Sequence, residues 1–127
     1  MMVDTIDNFI AVSLQISSDA VNACKNREES SILMRNKINK ISTYIKSIDP
    51  FLTSFNGLKP KLYVLPEYFL SSFPMGESID RWKELAAIEM NGPEYDQLCK
   101  IADDSKCFIS GNVYEVDTNF SEIYFQT

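Results

Sequence analysis

The chain has 127 residues, a net charge of −6 and 45% hydrophobic residues, the make-up of one globular domain at most rather than a disordered segment. The acidic balance, with no basic stripe, argues against a nucleic-acid or anionic-membrane partner. Histidine is absent. With it go Ser-His-Asp and Cys-His catalysis, His-ligated zinc and the HExxH zincins, so acid–base work falls to carboxylates, lysines, tyrosines or cysteines.

Three cysteines, Cys24, Cys99 and Cys107, lack CxxC spacing, so neither a disulfide framework nor a zinc knuckle is expected, and no metal site. The four glycines make neither GxGxxG nor GxxxxGK, which excludes the two common phosphate loops. The first residues, Met1 to Asp7, carry acids and lack the basic and apolar regions of a secretory signal. No apolar run approaches the length of a membrane span. A cytoplasmic, reducing location is the expectation.

In chain order, Phe9 to Ile16 reads as a strand, apolar enough to be covered on both faces. Asn26 with Glu29 resembles a capping box that starts a long helix near Arg27. Met34, Ile38, Ile41, Ile45 and Ile48 form one apolar stripe along it, suited to packing on a sheet. Asp49-Pro50 is expected to end the helix, because a residue before proline avoids the α region. After a loop at Asn56-Gly57 comes a strand from Leu62 to Leu65. Ser78 caps a short helix with Ile79, Trp82, Leu85 and Ala86 inward, and Arg81 and Lys83 solvated. Asn91-Gly92-Pro93 stops it and opens another, whose apolar face is Tyr95, Leu98, Cys99 and Ala102. Cys107 to Gly111 is a third strand, and Glu122 to Phe125 begins a fourth. Alternating strands and helices define an α/β order with helices covering the sheet.

Glu67 holds the most chemical interest. The strand before it stops at Pro66, which has no N–H for a ladder, so a carboxylate sits just past a strand's carboxyl end, where ligand sites of α/β sheets lie. Tyr68, Phe69 and Leu70 are placed to dry it, as a general base requires. A glutamate at such a junction also suits a helix N-terminus. Both readings stand on residue type alone. Tyr68 and Phe73, its near neighbours, are candidates to line a pocket or to fill core.

The run Leu65-Pro66-Glu67-Tyr68-Phe69-Leu70, followed by Phe73-Pro74-Met75-Gly76-Glu77, resembles the first catalytic motif of the nitrilase (carbon–nitrogen hydrolase) superfamily. Asn91-Gly92-Pro93-Glu94 and Ile109-Ser110-Gly111-Asn112 resemble later segments of the same family in the same order. The resemblance runs from Ile10 onward and is weakest between Ser17 and Phe55. It implies a carbon–nitrogen hydrolase domain over residues 8–127, incomplete at its carboxyl end, with residues 1–7 as an extension. The implied fold is an α-β-β-α sandwich, here its N-terminal part. The implied activity is hydrolysis of a small amide or nitrile by a Glu-Lys-Cys triad, without a cofactor, in a homo-oligomer.

Glu67 matches the family's general base; the lysine and cysteine motifs match nothing in this chain. Lys100 and Lys106 precede the third strand, and Ser121 stands where the family often has asparagine. Cys99 and Cys107 read as small buried hydrophobes, and Cys24 lies in a polar stretch. The alternative is a non-catalytic α/β binding or interaction module in which Glu67 serves structure. A chain with so few strands is expected to leave an apolar sheet face and a strand edge open, and to self-associate through them.

Overall fold

The computed structural model describes residues 7–127, so all but the last residue of the 1–7 extension lies outside the described residues. Among the described residues nine elements follow one another: β1 (Ile10–Ser13), α1 (Arg27–Asn56), β2 (Pro60–Val64), α2 (Ile79–Ala86), β3 (Ile88–Glu89), α3 (Pro93–Ser105), β4 (Phe108–Ser110), β5 (Tyr114–Val116) and β6 (Phe125–Gln126). They form an α/β protein with two small sheets. In the first, β2 lies between β1 and β4 and all three strands are parallel; in the second, β5 pairs parallel with β3 and antiparallel with β6.

The long helix starts where its cap dictates. The Asn26 side chain accepts from the Glu29 N–H at 3.0 Å, and the Glu29 carboxylate accepts in return from the Lys25 N–H at 2.8 Å. The first bond satisfies a donor that a helix start otherwise leaves orphaned, and the second ties the residue before the cap to the first turn. Met34, Ile38, Ile41 and Ile45 are fully buried, and they meet the sheet face formed by Val12, Tyr63 and Ile109.

The helix does not end at Asp49-Pro50. It runs on through Pro50 to Asn56 and stops at Gly57, whose left-handed φ of 72° lets its N–H cap Thr53 O. Asp49 is held from outside the helix, accepting from the Tyr63 hydroxyl and lying 3.5 Å from Lys59 Nζ. Those anchors outweigh the local preference of a pre-proline residue.

Strand β1 is shorter than its apolar run and covered on one face only. Leu14 N–H still donates to Val64 O at 2.9 Å, but Ile16 N–H turns back onto Leu14 O and pairing stops. Ala11 and Ser13 are exposed, because no element among the described residues packs over the face they share with Val64, Phe108 and Ser110. Phe108 is 76% exposed there. The short strands β3 and β5 were not anticipated from the sequence.

In α3 the fully buried residues are Glu94, Ile101 and Ser105, turned toward α1. Of the expected apolar face, Tyr95 and Leu98 pack partly buried against the core, Ala102 is half-buried and Cys99 faces outward. Cys99 is therefore exposed, not a buried hydrophobe, and Cys107 is half-buried. Ile79, in the first turn of α2, is exposed, whereas Trp82, Leu85 and Ala86 are buried. Arg81 is not merely solvated: its guanidinium donates to Cys24 O at 2.8 Å and Lys25 O at 2.9 Å, tying α2 to the start of α1. Among the described residues no helix is long and apolar enough to cross a membrane.

Candidate functional site around Glu67

Glu67 follows the central strand of the parallel sheet. Leu65 N–H makes the last ladder contact, to Ser110 O at 2.8 Å. Pro66 has nothing to donate, and the chain leaves the sheet. Tyr68 then takes a left-handed φ of 54° and Ser72 one of 67°, closing a turn in which Ser72 N–H donates to Tyr68 O at 2.9 Å. Non-glycine residues pay for such φ values, so the turn is held by its surroundings. Phe69 and Leu70 plug into the core. Gly111 makes room for this plug, since a Cβ there would meet the Phe69 ring at 2.8 Å.

The plug turns Glu67 outward. Its carboxylate is exposed, so Phe69 and Leu70 do not dry it. Nor does it face a helix N-terminus, because residues 68–71 form a turn and the next helix starts at Ile79. Gln126 Nε2 donates to Glu67 Oε1 and to Asn112 Oδ1, both at 3.2 Å, while Asn112 Nδ2 donates to Thr127 O at 3.1 Å. The β5–β6 hairpin thus hands an amide to the carboxylate.

The hairpin also fixes the residue next door. The Tyr68 ring stacks on Tyr114 with centroids 5.5 Å apart, and the tilted Phe73 ring lies 6.1 Å from Tyr68. Tyr114, paired with Gln126 across the hairpin, meets Trp82 and Tyr124 edge-on. Burial first, and the neighbouring Tyr68 next, raise the Tyr114 phenol from its ordinary 10.0 to about 12. Tyr68 is half-buried within this aromatic cluster, while Phe73 stands at its exposed rim.

An apolar groove of about 430 Å³ opens between α3 and the strand end that carries Glu67, lined by Leu65, Phe69, Leu98, Cys99, Cys107 and Ile109 among others. It occupies the α3 face expected to be core. The remaining candidates do not gather at Glu67. Lys100 pairs with Asp104 at 2.9 Å and Lys106 with Asp103 at 2.7 Å, both on α3 or at its end. Burial, ahead of Asp49, raises the Cys107 thiol, and burial, ahead of Glu29, raises that of Cys24. Both shifts favour the thiol over the nucleophilic thiolate. Among the described residues no group of three or more His, Cys, Asp or Glu side chains is arranged to hold a metal ion.

Sequence reasoning missed Gln126, Asn112 and Tyr114. They reach Glu67 and Tyr68 through pairing across more than forty residues, and no local motif marks such a contact. No protein-family model matches the chain, and no curated protein matches its sequence significantly.

Proposed function

We propose that the chain is part of a cytoplasmic carbon–nitrogen hydrolase of the nitrilase type, with Glu67 as its general base and a small amide or nitrile as substrate. The observation that carries this reading is the position of Glu67: past the carboxyl end of the central parallel strand, on a strained turn, with its carboxylate in reach of solvent and ligand. The resemblance of residues 65–77 to the family's glutamate motif supplies the reaction class. In that chemistry the glutamate takes the proton of a cysteine thiol as sulfur attacks the carbonyl or nitrile carbon. With an amide it then returns the proton to the departing amine and activates the water that releases the acyl group. With a nitrile the proton goes to the thioimidate nitrogen, and water must add to the carbon before ammonia can leave. A lysine stabilises charge on the substrate oxygen. The open face of the β1-β2-β4 sheet is where the second sheet of an α-β-β-α sandwich would pack, and Tyr68 and Phe73 would flank the substrate.

The lysine and cysteine of this scheme match no residue of the chain, and neither a lysine nor a cysteine bonds to Glu67 among the described residues. This favours a second reading, a non-catalytic module of the same architecture. Coding DNA beyond Thr127 separates the two: a strand followed by a lysine, then a cysteine at a later strand end, supports the enzyme, and a stop codon supports the module. In the enzyme, Glu67→Gln should lower turnover about a hundredfold to ten-thousandfold with the fold intact. Near wild-type turnover would remove Glu67 from the mechanism. The 127-residue chain by itself should hydrolyse no amide or nitrile; cysteine-dependent turnover would restore Cys99 or Cys107 as a nucleophile.

A further inference from the structure

The continuation of α1 through Pro50 creates a second apolar stripe, beside the one that faces the sheet. Tyr44, Phe51 and Phe55 are 45%, 66% and 80% exposed, with half-buried Ile48 between them. Their spacing is four, three and four residues, so they share one side of the helix. Phe51 and Phe55 already stack on each other, centroids 6.2 Å apart and rings within 12° of parallel. The exposed flank of the stripe carries Ser47 and Ser54, and the Ser47 hydroxyl is spent on Thr43 O. Asp49 is turned the other way, onto Tyr63 and Lys59.

Three features point to one occupant. The spacing reads the same from either end, so an antiparallel copy would set Tyr44 against Phe55 and Ile48 against Phe51 in register. Between Tyr44 and Phe55 this face carries no charge although the chain carries −6, and Lys40, one turn before Tyr44, is paired with Asp19 at 3.2 Å, so two copies meet there without local repulsion. Its size suits a modest association: a fully buried aromatic side chain covers about 150–250 Å², so these three, exposed as they are, supply roughly half of the ~800 Å² per partner of a standard interface.

We propose that this stripe is a self-association surface on which two copies of the chain pair as antiparallel helices, weakly and reversibly. It lies at the end of α1 that feeds the amino end of β2, while Glu67 follows the carboxyl end. The pair therefore leaves the Glu67 end open, and the proposal does not depend on the chemistry assigned to that residue.

Sedimentation equilibrium of the 127-residue chain from about 1 to about 500 μM tests it. The expected result is a monomer–dimer equilibrium that Phe51→Glu/Phe55→Glu weakens at least tenfold, that Phe108→Glu on the open sheet face leaves unchanged, and whose helical circular dichroism is preserved. If the double variant loses helical signal, Tyr44→Lys at the other end of the stripe makes the same test with a single exposed change. Persistence of the dimer in the folded stripe variants, its loss on Phe108→Glu, or a monomer at every concentration overturns the proposal. Loss of the dimer on Phe108→Glu would assign self-association to the sheet face instead.

Discussion

Glu94 and Glu67 are both glutamates one residue past a proline, and the molecule treats them oppositely. Glu94, in the first turn of α3, is fully buried. Its Oε1 accepts from Ser31 Oγ at 2.8 Å and lies 3.7 Å from Arg27 Nη2, while Arg27 Nη1 donates to Ala87 O at 2.9 Å. Helix α1, helix α3 and the residue before β3 are thereby joined through one carboxylate. Glu67 is exposed and accepts from one side-chain amide, that of Gln126. The sealed carboxylate has its bonding spent inside the protein. The open one keeps lone pairs for a ligand, and its rigidity comes from the backbone beneath it.

The largest effect expected from this contrast is at Glu94. Glu94→Ala removes the acceptor of the Ser31 hydroxyl and the charge partner of Arg27, which keeps its bond to Ala87 O, and leaves a hole between two helices. A cost of about 2–3 kcal/mol follows from losing a charge-assisted bond in a buried place, and chemical denaturation would show it as a lower midpoint. A midpoint shift as small as that of an ordinary surface change would mean that Oε2, which has no protein partner, already offsets what Oε1 gains.

Next in size is Gly111→Ala, which tests the backbone under Glu67. The new methyl meets the Phe69 ring, and overpacking of this kind costs about 1–3 kcal/mol. The amide protons of residues 67–72 should then exchange faster with solvent. If stability fell with their protection unchanged, the Phe69 plug would not be what holds the turn.

A smaller effect concerns the aromatic cluster at high pH. The Tyr114 phenol is raised on folding, so the native state holds that proton longer than the unfolded chain does. Its contribution to stability is complete below the ordinary 10.0 and is lost as pH rises toward about 12. Tyr114→Phe should flatten the fall in melting temperature over that window. Tyr63, raised by burial and then by its bond to Asp49, acts in the same direction and leaves some slope in the variant. Identical slopes in the two proteins would mean that Tyr114 titrates as it does unfolded. The smallest effect is that of Glu67→Gln on stability, within about 0.5 kcal/mol as for other exposed positions; a larger loss would make Glu67 structural.

Much of the frame was legible because short-range chemistry sets it. Asn26 with Glu29, Ser78 before α2 and Pro93 at the start of α3 each announce a helix start within four residues, and each helix begins there. The stripe from Met34 to Ile45 is buried as its spacing requires. What failed was decided at a distance. Pro50 loses its local argument to Tyr63 and Lys59 holding Asp49. The face of α3 that α1 selects runs through Glu94, a residue no hydrophobic pattern marks as core. Strands β3 and β5 have two and three residues, too few for any periodicity, while the expected strand at Glu122 to Phe125 forms only as Phe125–Gln126. At the site, Glu67 could be placed from the strand and proline before it. Its exposure could not, since it depends on Phe69 finding Gly111 more than forty residues later.

The parallel sheet has a consequence for how the chain reaches this state. Every pair in the β1-β2-β4 sheet is a crossover: β1 finds β2 only across the whole of α1, and β2 finds β4 only across α2, β3 and α3. Such contacts close long loops before they return any stabilisation, and they are slow to form. The antiparallel β5–β6 pair spans far less chain. Helix α1, capped at both ends by its own neighbours, is the piece able to form early and gather strands on its apolar stripe. Connectivity therefore predicts that α1 gains structure before the parallel strands pair, the central strand whose end presents Glu67 among them; pulse-labelled hydrogen exchange showing β2 protected as early as α1 would overturn this order.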